Sequence, residues 1–189
     1  MRRNNPFDRI EEVVKDMNRH SRVVFGEGTL LQLKKDKNES LTYICSGNVL
    51  DDYFGLAIKV SFYFDNGNLF CQFFSLECCD LFRRVLFRAE FLNSDLTHPQ
   101  PHWHFYNCEP LNQIDRNSFE DQIISQDTLN CVDVSKMHFA MSKIWHNDKN
   151  DISSIPDASQ LGEWYGKLLT HIKEQLNHLL EKSKINVYT

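Results

Sequence analysis

Apolar residues recur with a helical period at both ends of this chain and with a strand period between them. Asn5 and Pro6 make a helix start, a capping residue followed by the one position where a missing N–H costs nothing. Ile10, Val13, Val14 and Met17 then repeat at i, i+3, i+4 and i+7, with Phe7 extending the stripe. Asp8, Glu11 and Glu12 suit the positive helix end, and the pattern predicts a helix over 6–19. Gly26-Glu27-Gly28 is a breaker, and Lys34-Lys35-Asp36-Lys37-Asn38-Glu39 reads as a solvated turn.

From 41 to 106 the period is two. Ile58, Val60, Phe62 and Phe64 alternate with Lys59, Ser61 and Tyr63, and Asn66-Gly67 is the pair that type I′ hairpins favour. A two-residue loop there sets Phe64 against Leu69, Phe62 against Cys71 and Val60 against Phe73. Lys59, Ser61, Tyr63, Phe70, Gln72 and Phe74 then share the opposite face, which is too aromatic to sit bare and calls for a helix or a partner over it. In the next strand Val85, Phe87, Ala89 and Phe91 make one face, with Arg84, Leu86, Arg88 and Glu90 on the other. A strand over about 101–106 puts Trp103 and Phe105 on one side, and His102, His104 and Tyr106 on the other.

Beyond Asn107 the chain turns polar, with a short helix predicted over 118–124 and a better one over 134–145. The last helix, over 157–182, carries a broad stripe that includes Leu161, Trp164, Tyr165, Leu168, Leu169 and Ile172. Gly162 and Gly166 each cost that helix about 1 kcal/mol relative to Ala, which points to close approach of another element or to a frayed first turn. The fold expected is a single α+β domain, an antiparallel meander of about five strands packed by the N-terminal helix and the long C-terminal one.

Composition sharpens this picture at one point. Fourteen Phe, 6 Tyr and 3 Trp make 12% of the chain aromatic, more than one small meander needs in its core. Tyr63, Phe70, Phe74, Trp164 and Tyr165 are therefore expected either to meet each other or to meet a partner protein. The net charge of −5 leaves nucleic acid only a local basic patch to bind, and the basic pairs Arg2-Arg3, Lys34-Lys35 and Arg83-Arg84 are scattered. Six cysteines without CxxC or CxxH spacing read as reduced thiols rather than disulfides or a zinc knuckle. No apolar run approaches the ~18 residues that span a bilayer, and no apolar leader follows the basic N-terminus, so a cytoplasmic protein with no membrane contact is expected.

Candidate chemistry gathers in Thr97-His98-Pro99-Gln100-Pro101-His102-Trp103-His104. On a strand, His102 and His104 lie about 7 Å apart on one side. With His98 on a loop stiffened by two prolines, three imidazoles suit a divalent metal such as zinc. If the two strands pair, Glu90 and Arg88 share that face, Glu90 as ligand or general base and Arg88 as the stabiliser of an anionic intermediate. The plainer alternative is strand histidines hydrogen-bonded to Glu90, Asp95 and backbone carbonyls; a phosphate- or RNA-contact surface is a third. No other cofactor is indicated, since GxSxG, GxxxxGK[ST] and HExxH are all absent.

The run Val85-Leu86-Phe87-Arg88-Ala89-Glu90-Phe91, His98-Pro99 and Pro101-His102-Trp103-His104-Phe105 resembles a pattern of small bacterial α+β proteins. Some of these resemble TumE-type toxins of toxin–antitoxin loci and others accompany phage-defence operons. Here Glu90 stands where Asp is more usual. The resemblance implies a bacterial defence or toxin–antitoxin setting. With the aromatic surplus, it makes an accessory or interaction subunit the leading expectation. A metal-dependent, nuclease-like hydrolase built on His98, His102, His104, Glu90 and Arg88 is the alternative.

Overall fold

In the computed structural model, the residues described are 6–93, 102–105 and 158–185. Helix α1 spans Pro6–Phe25, and six strands follow: β1 Lys34–Lys35, β2 Thr42–Val49, β3 Phe54–Asp65, β4 Asn68–Asp80, β5 Val85–Leu92 and β6 His102–Phe105. Helix α2 spans Ala158–Ile185. The strands form one sheet in the order β1-β2-β3-β4-β5-β6 and every neighbouring pair is antiparallel, so the fold is α+β, a meander packed by the first and last helices. The helices expected over 118–124 and 134–145 lie outside the described residues.

Helix α1 runs six residues past the expected end. Ser21 continues its buried stripe after Ile10, Val13, Val14 and Met17, so the turn from His20 to Phe25 still gains tertiary contact. It stops at Gly26, whose φ of 97° is the left-handed cap conformation, with Gly26 N–H donating to the Arg22 carbonyl over 2.8 Å. The Lys173 ammonium of α2 donates to the Val24 carbonyl over 2.6 Å and satisfies another acceptor at that end. Asn18 then ties the helix to the chain before β1, its amide donating to the Leu33 carbonyl and its oxygen accepting the Leu33 N–H.

Asn66 and Gly67 both take positive φ, so the type I′ turn forms as the sequence predicts, and Phe64 faces Leu69 and Phe62 faces Cys71. A β-bulge between Ser61 and Phe62 then shifts the pairing by one, so that Val60 meets Phe74 and Phe73 meets Ser61. This corrects the expected faces: Phe74 turns into the core, and Phe73 takes its place outside. A second bulge opposite Cys78 and Cys79 carries Leu86 into the core beside Phe87. Lys34-Lys35, expected in a turn, pairs with Tyr43 and Ile44 as a two-residue edge strand.

Both helices cover the same face. Phe74 meets Trp164 edge-on with ring centroids 5.2 Å apart and Tyr165 at 6.3 Å, and Phe7 meets Phe64 at 6.5 Å. Phe74, Trp164 and Tyr165, expected at a partner surface, are thus fully buried inside the chain and meet each other. The helices also run in the same direction, for Asp16 lies on Gly162, His20 on Gly166 and Val24 beside Lys173. Ser21 and Tyr165 share a buried hydroxyl hydrogen bond of 2.9 Å across the seam. Close approach, not fraying, explains the two glycines.

Candidate docking face and the Glu90 cluster

With α1 and α2 spent on one face, the second face of the sheet is where the described residues leave chemistry accessible. Its composition follows from strand alternation: apart from the two bulges, every second residue of β2–β5 points away from the helices. Register aligns these into rows across the sheet. One row reads Lys34, Ile44, Lys59, Ser75, Glu90 and His102 from β1 to β6, and the next reads Ser46, Ala57, Glu77, Arg88 and His104 from β2 to β6.

The β5–β6 pairing brings three of the sequence candidates, Arg88, Glu90 and His104, together. Glu90 Oε1 lies 3.0 Å from Arg88 Nε, and Glu90 Oε2 lies 3.1 Å from His104 Nε2. Glu90 is thus shared between a guanidinium and an imidazole, an arrangement that orients His104. His102 pairs with Glu90 through the backbone register. Its side chain and the whole of His98 lie outside the described residues, so the three-histidine metal set does too. Among the described residues no group of three or more His, Cys, Asp or Glu side chains could hold a metal ion.

Beside this cluster the face is hollowed into a trough of about 870 Å³, running from the β1 rim to Arg88 and Glu90. Its floor is mixed: Ala57, Phe73 and Ser75 in the centre, with Leu30 and Ile44 toward the β1 side. Leu30 and Ile44 are 73% and 42% exposed. Leu30 sits over Gly47, where a Cβ would come within 2.8 Å of the Leu30 Cβ, so the glycine is what lets the loop after α1 lie so close. Lys59 donates to Glu39 over 3.0 Å, and this bond, with one from the Thr42 hydroxyl, lowers the Glu39 pKa.

Tyr63 and Phe70, the other two residues expected at a partner surface, do stand on this outer side. Their rings stack at 5.2 Å and 20°, and the Asn93 amide donates to the Tyr63 hydroxyl over 2.6 Å. The β1 rim was not legible as part of a site, because two residues are too few to show alternation. The one available signal was the pair of adjacent lysines preceding an apolar alternating run. Among the described residues the thiols are disfavoured as thiolates: burial pushes Cys45 and Cys71 up to about 12 and raises Cys78 and Cys79. No helix among the described residues is long and apolar enough to cross a membrane.

No family model, curated protein or solved structure matches this chain.

Proposed function

We propose that this chain is an interaction subunit that docks another protein on the outer face of its sheet. The observation that carries the reading is the one-sided placement of α1 and α2. It commits the aromatic and aliphatic core to one face and leaves a trough with exposed Leu30 and Ile44 on the other. A floor with apolar residues and charged margins is the anatomy of a protein interface. A bacterial defence or toxin–antitoxin setting is proposed with it, on the strength of the Val85–Phe105 resemblance alone.

The test is assembly state. Tagged wild-type chain recovered from its source cells is expected to elute with a second protein in fixed stoichiometry, and Ala57→Arg, which plants a large cation in the middle of the trough, is expected to elute alone. A wild-type chain that behaves as a lone monomer, or an Ala57→Arg variant that keeps the partner, overturns the reading.

A hydrolase is the second reading, favoured by the Glu90–His104 contact and the adjacent Arg88. In it Glu90 orients His104 as general base toward water, and Arg88 faces the developing anion. A panel of phosphodiester and phosphomonoester substrates, with and without divalent metal, tests this. Turnover that His104→Ala and Glu90→Gln each reduce supports it, and no turnover by the wild type ends it.

A further inference from the structure

Resting on the docking reading, we infer that the occupant of the trough is an acidic amphipathic helix of the partner protein. The argument is the distribution of charge. The chain carries −5 overall, yet the charged side chains at the β1 margin of the trough are Lys34, Lys35, Asp36 and Lys37, with Lys59 two strands further in. Among the described residues neither the Lys34 nor the Lys37 ammonium has a carboxylate partner. Lys59 already holds Glu39, and the Lys35 ammonium lies over the Phe7 ring at 6.0 Å. At the far margin the Arg88 charge is paired with Glu90. That margin therefore carries more lysine than carboxylate, Lys34, Lys35 and Lys37 against Asp36, along one side of an aliphatic strip made by Leu30 and Ile44.

That pattern matches a helix with an apolar stripe and carboxylates on one flank. From β1 to β5 is four inter-strand steps, about 19 Å, or about 13 helical residues at 1.5 Å each. Nucleic acid fits less well. A polyphosphate crossing the same distance would carry evenly spaced negative charge over Asp36, Glu77 and Glu90, which also line the trough. A peptide can place its acids only over the lysines. The net charge of −5 disfavours acidic segments over the chain as a whole, and the lysine-rich margin offsets that locally, which is a source of specificity.

The probe is a labelled synthetic peptide of about 16 residues, with leucines at helical spacing and glutamates along one flank. It is titrated into the full chain and followed by fluorescence anisotropy. The comparisons are the same peptide with lysine for glutamate, and a single-stranded oligonucleotide of similar length. Binding of the acidic peptide is expected, weakened about tenfold or more by Lys34→Glu/Lys37→Glu and unchanged by Lys15→Glu on the exposed side of α1. No binding, equal binding of the basic peptide, tighter binding of the oligonucleotide, or indifference to the double charge reversal overturns the inference. The docking reading is scored separately by Ala57→Arg. If that variant loses its partner while the acidic peptide does not bind, only the identity of the occupant falls.

Discussion

Asp80, at the end of β4, does several jobs with one carboxylate. Oδ1 accepts the backbone N–H groups of Phe82 and Arg84, each at 2.9 Å, and Oδ2 accepts from Arg84 Nε at 2.6 Å. With only 4% of the residue exposed, these partners are what make its charge tolerable. The turn that Asp80 organises includes Arg83 at φ 60°, a strained position for a residue with a Cβ. Asp80→Ala strands the Arg84 charge and leaves two N–H groups unmet, so it is expected to cost about 3 kcal/mol in urea unfolding. Asp80→Asn, which keeps the Oδ1 acceptor, is expected to cost less. The sequence gives no hint of this role, since an aspartate before a hydrophobic pair and two arginines looks like any polar turn.

At the level of elements, the seam between α1 and α2 turns ordinary helix propensity upside down. A Cβ on Gly162 would fall 1.6 Å from Asp16 Oδ2, and one on Gly166 would fall 2.3 Å from His20 Nδ1. Alanine at either site would gain about 1 kcal/mol in an isolated helix. Here Gly162→Ala is expected to lose about 1–3 kcal/mol by forcing the buried carboxylate aside. Asp16→Ala in the same chain should recover part of that loss, which denaturant unfolding of the three variants would read.

Further along α2, burial lowers the His171 pKa, against an opposing pull from Glu174. The folded chain therefore keeps this imidazole neutral to lower pH than the unfolded chain, whose histidine takes its proton near the ordinary 6.5. Above that pH both states are neutral and stability is undiminished. As pH falls below it the unfolded state binds more protons, and stability drops until the folded pKa is passed. His171→Gln is expected to flatten that part of the acid limb, and an unfolding series from pH 7.5 to 4.5 on both proteins checks it.

The same scale shows what the chain's pattern could and could not convey. Alternation identified β3, β4 and β5, and the Asn66-Gly67 turn fixed the first pairings, because period and turn chemistry are local properties. The β-bulges were not legible. One extra residue at Gln72 or Leu86 reverses every face beyond it, and no local preference marks where the slip occurs. That is why Phe74 and Leu86 were expected outside and lie inside. The pairing of Glu90 with His104 was legible only conditionally, since it required β5 and β6 to be neighbours.

For the whole molecule the consequence is a sharp division of labour between faces. Leu168, under the sheet on α2, is completely buried, whereas Ala57 on the outer face is exposed. Leu168→Ala is expected to cost about 2–5 kcal/mol by leaving a cavity. Ala57→Arg should shift stability by no more than about 0.5 kcal/mol, because it adds a side chain where the described residues leave room. Thermal or urea unfolding of the two variants checks the contrast. A large loss for Ala57→Arg would mean that the outer face is packed within the chain itself.

The common direction of the two helices has a mechanical meaning as well. Pro6 begins α1 and Ile185 ends α2, so a force drawing these two residues apart pulls the helices past one another along their shared axis. Asp16 seated at Gly162 and His20 seated at Gly166 are then loaded in shear, as teeth in notches, rather than opened one contact at a time. The helical layer should yield late and abruptly under tension, where an antiparallel pair joined at one end would unzip.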